Sequence, residues 1–177
     1  MYKLLISLLL IFTLIGCFRN KENANKPVSS KGTPELNGDN NKAPEFTLSS
    51  TDGKNIRLSD YKGKVVIVDF WASWCAPCRK GIPDLIEIQK EFGKKVVVIG
   101  ISLDTDSKRD VVPFMQKFGI NYPITYGTLE VTQQYGGVEA IPTSFIIDKN
   151  GQIVDKHVGL VPKSEITDQI NKLLSKI

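Results

Sequence analysis

The chain has 177 residues, 41% apolar and 24% charged, the balance of an ordinary globular protein with one core. Its net charge of +4 comes from lysines scattered along the chain without interleaved aromatics, which excludes the basic stripe of a nucleic-acid-binding surface. Three cysteines and one histidine, His157, are too few for a zinc site once Cys17 is set apart, so no metal and no other cofactor is expected.

Residues 1–16 read as a secretory signal peptide. Lys3 supplies the positive start, and Leu4 to Ile15 form an apolar run broken only by Ser7 and Thr13. That run is too short to cross a bilayer comfortably. It ends Leu14-Ile15-Gly16-Cys17, which resembles the lipobox of bacterial lipoproteins. The resemblance implies cleavage before Cys17 and a lipid on its thiol; an uncleaved anchor is the alternative. Either way the chain is held at a bacterial membrane and faces outside the cytoplasm. Two or more acyl chains anchor a protein stably where one does not. From Cys17 to Lys42 the chain is rich in Asn, Lys, Ser, Gly and Pro and nearly devoid of apolar residues. Such a segment cannot bury enough surface to offset its ordering entropy, and residues 17–42 read as a flexible tether. The folded domain is then 43–177.

Within it, Phe46 to Leu48 and Ile56 to Leu58 flank an Asp52-Gly53 turn, the signature of a β-hairpin. Val65 to Phe70 is a continuous apolar run apart from Asp69, as in a strand buried on both faces. Pro77 to Phe92 has helical periodicity, with Ile82, Leu85, Ile86 and Phe92 on one face, and Val96 to Ile101 is a second buried strand. Strand, helix, strand in this order is a βαβ unit with parallel pairing. A helix over Ser107 to Phe118 with Asp106 or Ser107 as cap, a strand near Tyr122 to Thr125 and a helix near Leu129 to Tyr135 follow. Thr143 to Ile147 and Gln152 to Val158 form a hairpin about Asp148 to Gly151, and Lys163 to Leu174 a closing helix. His157 is expected at the surface of its strand, without a role. The charged run from Asp104 to Asp110 reads as a solvated helix start.

Chemistry concentrates in Trp71-Ala72-Ser73-Trp74-Cys75-Ala76-Pro77-Cys78, where a buried strand gives way to a helix. A CxxC beside a βαβ pattern is a thioredoxin-like redox motif. A cysteine at a helix N-terminus meets unpaired N–H groups and the positive end of the helix dipole, so its thiolate is stabilised. Cys75 occupies that position. Cys78, one turn on, can attack the mixed disulfide that Cys75 forms with a substrate. Pro77 fits the first turn, where a missing N–H costs little.

The run VDFWASWCAPC resembles the active-site segment of thioredoxin, and Pro83 falls where that family kinks its first helix. Ile141-Pro142-Thr143 resembles its cis-proline loop, which lies opposite the cysteines. Together with IPTSFIID and the intervening helical segment, the domain is most similar to the membrane-tethered reductases of TlpA and ResA type. That resemblance implies an α/β thioredoxin-like fold: a central mixed sheet flanked by helices, with an N-terminal β-hairpin and a central helical insertion. It implies a protein-disulfide oxidoreductase with the redox disulfide Cys75–Cys78. Trp74, Pro77, Ile141 and Pro142 are the candidate substrate-binding residues. Asp69, six positions before Cys75, matches thioredoxin's buried aspartate and is the candidate base for Cys78. The substrates implied are exported proteins bearing thiols or disulfides. A reductant there needs a membrane electron donor, and serves either cytochrome c maturation or general thiol reduction. One departure bears on the choice. ResA-type proteins often carry a glutamate three residues after the second cysteine, where this chain has Gly81. The alternatives are a peroxiredoxin-like antioxidant enzyme, whose preceding loop Thr and Pro are missing from Ala72-Ser73-Trp74, and a Sco-type copper-binding assembly factor, which uses CxxxC rather than CxxC.

Overall fold

The computed structural model describes residues 41–175; the leader, Cys17 and the polar segment as far as residue 40 lie outside the described residues. The Asp52-Gly53 turn closes a hairpin of β1 (Thr47–Ser49) and β2 (Asn55–Arg57), with Leu48 opposite Ile56. Gly53 takes φ 83°, a left-handed geometry that side chains disfavour. Next come β3 (Val65–Trp71), buried along its whole length, α1 (Ala76–Phe92) and β4 (Val96–Ser102), which runs parallel to β3. A 3-10 turn at 108–110 then leads into α2 (Val111–Phe118), so the regular helix starts later than its sequence pattern suggests. No side chain caps either piece, because the Ser107 hydroxyl donates to Asp104 instead.

β5 (Ile124–Tyr126) joins β4 in parallel, and α3 (Leu129–Gln134) starts at Thr128, whose hydroxyl accepts from Val131 N–H at 3.2 Å. β6 (Thr143–Ile147) and β7 (Ile153–Val158) form an antiparallel hairpin. Its turn is held by Asp148 Oδ1, which accepts from Asn150 N–H at 2.9 Å and Gln152 N–H at 2.8 Å. α4 (Lys163–Ser175) ends the domain. The five-stranded sheet has the order β5-β4-β3-β6-β7, with β3, β4 and β5 parallel and β6 and β7 antiparallel to their neighbours. This is the mixed, helix-flanked sheet expected, with the hairpin as a separate two-stranded sheet. Asn41 and Lys42, at the end of the expected tether, already touch the β6–β7 hairpin: Asn41 O accepts from Ile153 N–H at 2.7 Å and Lys42 bridges Gln152.

Alternation along β3 divides the core into two layers. Val65, Ile67 and Trp71 pack with Ile82, Leu85 and Ile88 of α1, and with Ile166 and Ile170 of α4. Val66, Val68 and Phe70 pack on the other face with Phe46, Leu48, Val131, Tyr135 and Phe145. Each aliphatic side chain so buried contributes on the order of 1.5–3 kcal/mol. Asp69 lies on the α1 face by the same alternation, which is what brings a carboxylate beneath Cys78. In α1 the inward line is Cys78, Ile82, Leu85 and Ile88, while Ile86 and Phe92 are only partly buried. His157 is not at the surface: it is 9% exposed, because α4 covers the end of β7. Its Nε2 lies 3.3 Å from Asp155 and its Nδ1 3.9 Å from Glu165 of α4, while Gln169 of α4 donates to Asp155.

Candidate active site

Cys75 stands where the chain leaves β3 and enters α1. Its N–H donates to Ala72 O at 3.1 Å, and its sulfur is the N-cap acceptor of α1, taking Cys78 N–H at 3.2 Å. Pro77 occupies the first turn, where no partner for an N–H exists. Cys75 and Cys78 form a disulfide with S–S 2.09 Å and Cα–Cα 5.3 Å. The same first-turn N–H groups and the helix dipole favour a thiolate on Cys75 once the bond is reduced. Ile141–Pro142 is a cis peptide, and Ile141 O lies 3.7 Å from Cys75 Sγ. Pro142 O is fixed from below by Gly159 N–H at 2.8 Å. Both cysteines are nearly buried, whereas Trp74 is 64% exposed beside them. The structure therefore gathers Cys75, Cys78, Trp74, Pro77, Ile141 and Pro142 around one mouth.

Asp69 lies inward of that mouth. It is paired with Ser144 across β3 and β6, and Ser144 Oγ donates to Asp69 Oδ1 at 2.6 Å. Burial pushes its carboxyl pKa up to about 7, and the Ser144 hydrogen bond only partly opposes this. Asp69, Cys78, Asp84, Pro142, Ser144 and Leu160 line one cleft of about 30 Å³, enough for a water between acid and thiol. The rung continues outward through His157, which pairs with Ser144. Two larger hollows, of about 260 and 480 Å³, lie by Lys42, Lys62 and Lys64 and beside the β1–β2 hairpin; neither contains a cysteine. Volume is a poor guide here, because exchange between sulfurs needs an exposed mouth rather than a deep cavity.

At Gly81 the cleft is closed by Leu160: a Cβ there would meet Leu160 Cδ1 at 3.1 Å. A glutamate at this position would need Leu160, half-exposed, to give way by a few tenths of an ångström. Trp71, which flanks the site in sequence, is a core residue, 1% exposed and packed against Phe114. Sequence reasoning missed Ser144 and Asp104. A serine inside the buried run TSFII was the available signal for the first, since a hydroxyl there needs a partner. Asp104 was hidden by charged neighbours: it is 5% exposed rather than solvated, and it binds Ser73, Ser102 and Ser107.

The family model described as Redoxin matches residues 38–173. The chain belongs to the redoxin family. Among curated relatives of this redoxin, the thiol-disulfide oxidoreductase ResA of Bacillus subtilis is 36% identical over 132 residues, covering 73% of this chain and 72% of the relative. The thioredoxin-like protein YneN of the same organism is 34% identical, covering 73% and 76%. Among solved structures, a thiol:disulfide interchange protein of Chlorobium tepidum superposes with TM-score 0.72 at 32% identity, covering 78% of this chain and 99% of the other. The exposed lipoprotein thioredoxin Etrx1 of Streptococcus pneumoniae gives 0.65 at 35% identity, covering 73% and 100%. This redoxin is a thiol–disulfide oxidoreductase with a thioredoxin-like fold and a CxxC pair, and its substrates carry thiols or disulfides. The peroxiredoxin and copper-factor readings are not favoured: the relatives are named thiol-disulfide oxidoreductases, and the cysteines form a CxxC disulfide.

Proposed function

We propose that the redoxin is a lipid-anchored reductant of disulfides in exported proteins, with Cys75 as nucleophile, Cys78 as resolving thiol and Asp69 as its base. The observation that carries this reading is Asp69, raised to about pKa 7 in the cleft it shares with Cys78. The Cys75 thiolate attacks one sulfur of a substrate disulfide and expels the other as a thiolate. Cys78 then gives its proton to Asp69 and attacks Cys75 Sγ, releasing the second substrate thiolate. The substrate gains two electrons and, on protonation, two protons; the CxxC dithiol becomes the disulfide. A base with pKa near 7 is matched to such a step at neutral pH.

Trp74, Pro77, Ile141 and Pro142 form the surface against which a substrate chain lies in this reading, with Trp74 as its exposed apolar contact. Renewed turnover requires a membrane electron donor. General thiol reduction suits the site better than a role dedicated to cytochrome c maturation, because Gly81 stands where ResA-type proteins often carry a glutamate. The anchor is Cys17 after removal of residues 1–16, and the polar residues from there to 40 give the domain reach. The structural neighbour Etrx1 is a lipoprotein, which supports this arrangement, and no helix among the described residues is long and apolar enough to cross a membrane.

The full chain supplied with dithiothreitol reduces insulin disulfides above the rate of dithiothreitol alone, and in bacterial cells it sediments with membranes. Cys17→Ser abolishes lipid labelling without reducing insulin turnover. Failure to accelerate insulin reduction contradicts the enzymatic reading; unchanged lipid labelling of Cys17→Ser contradicts the anchor.

A further inference from the structure

Behind the active-site loop lies a buried carboxylate with an unusual set of donors. Asp104 follows β4 and is 5% exposed. Its Oδ2 accepts from Ser73 N–H at 2.9 Å and Ser102 Oγ at 2.8 Å; its Oδ1 accepts from Ser73 Oγ and Ser107 Oγ, each at 2.6 Å. Three serines from two chain segments therefore converge on one side chain, and one of them is the residue two positions ahead of Cys75. The adjoining backbones also pair, Leu103 N–H donating to Trp71 O at 2.8 Å. All four donors are neutral. Of the nearby cations, Lys108 lies 4.2 Å from the Tyr126 ring centroid and Arg109 is paired with Asp110 at 3.9 Å, so neither neutralises Asp104.

We propose that Asp104 is a positioning residue whose negative charge, held against Ser73, opposes thiolate formation at Cys75 and keeps the Cys75–Cys78 couple reducing. This deepens the reductant reading and rests on it for the biological sense of the effect. The helix N-terminus pulls Cys75 towards thiolate, and a more stable thiolate makes a CxxC pair more oxidising. A fixed anion bonded to Ser73, two residues before Cys75, counteracts that pull. From the carboxylate to the Cys75 Cα is at most about 12 Å, through one hydrogen bond and two residues. A unit charge at about 10 Å and an effective dielectric of about 20 changes an ionisation constant by roughly tenfold, and the four donors reduce this to a threefold to tenfold effect. Burial raises the carboxyl pKa, but the hydrogen bonds from Ser107, Ser73 and Ser102 outweigh burial and hold it below 3.8, so the charge is present at neutral pH.

Charge and simple bracing predict different signs, and full-length variants separate them. The readouts are the Cys75 thiol pKa, from the pH dependence of iodoacetamide alkylation, and the equilibrium constant against reduced and oxidised glutathione. Asp104→Asn keeps the shape and removes the charge. Its Cys75 pKa falls, and its equilibrium shifts threefold to tenfold towards the dithiol; tenfold corresponds to about 30 mV. Ser73→Ala and Ser107→Ala each remove one compensating hydroxyl and leave the charge, so both raise the Cys75 pKa and shift the equilibrium the other way. Unchanged values in Asp104→Asn, or shifts of the same sign in all three variants, overturn the proposal. If Asp104→Asn does not fold, the serine variants decide: an unchanged or lowered Cys75 pKa in them overturns it. The wild-type potential alone tests the reductant reading, so the two fail separately.

Discussion

Cys75→Ser lowers insulin reduction to the rate of dithiothreitol alone, whereas Cys78→Ser completes the first half of the reaction and stops. The difference follows from the positions of the two sulfurs. Cys75 is the N-cap of α1, where it meets the Cys78 N–H and the mouth beside Trp74 and Ile141. A serine hydroxyl there does not ionise near neutral pH and cannot act as the nucleophile. Cys78 lies one turn deeper and faces Asp69 rather than the substrate. Without its thiol, the mixed disulfide between Cys75 and substrate has no internal attacker and accumulates. Non-reducing electrophoresis of Cys78→Ser after mixing with a disulfide-bearing protein shows a covalent adduct that dithiothreitol releases. An adduct on Cys78 in Cys75→Ser, with none on Cys75 in Cys78→Ser, would reverse the assignment.

Asp69→Asn has two effects of opposite value. It slows resolution of the mixed disulfide by about a hundredfold near neutral pH, the usual size of a lost general base. It also removes the rise in that rate through pH 7 that ionisation of Asp69 produces. Stability moves the other way. Folding raises this carboxyl from 3.8 to about 7, so between those values the folded chain holds a proton that the unfolded chain has released. Stability therefore falls as pH rises through that window, by about 4 kcal/mol in all, and is level above it. The substituted amide would keep an oxygen for the Ser144 hydroxyl and carry no charge to bury. Urea denaturation of the Asp69→Asn protein shows little slope between pH 4 and 7 and a higher midpoint than wild type at pH 8. Equal midpoints at pH 8 would mean that Asp69 is not a costly buried charge.

The features legible in the sequence are those with a local physical cause. A run apolar but for Asp69 signals a strand covered on both faces, and β3 is one. Asp52-Gly53 and Asn150-Gly151 mark turns because glycine reaches left-handed φ, and both close hairpins. A CxxC after a buried strand announces a helix N-terminus, and Cys75 caps α1. The cis peptide at Pro142 came from resemblance alone, since nothing in Ile141-Pro142-Thr143 fixes the isomer.

What stayed hidden depends on register and on which elements meet in space. Ser144 contacts Asp69 only because β6 pairs with β3 in one register out of several. His157 reads as a surface residue because alternation does not report that α4 crosses β7. Asp104 heads a run of charged and hydroxyl residues that reads as a solvated helix start. Its burial arises because the loop after β4 folds against the loop before Cys75, two segments 31 residues apart in sequence. The same pull on Ser107 takes away the expected cap of α2. The polar groups that support the site were thus less legible than the sulfurs they support.

A CxxC pair that donates electrons has a reduction potential well below that of a disulfide donor. Electron donation is tested most directly by the reduction potential of Cys75–Cys78, obtained by equilibrating the full chain against graded dithiothreitol and glutathione buffers. A reductant of this fold has a value near that of thioredoxin, about −270 mV. A value near −120 mV, that of a strong disulfide donor, would contradict that role.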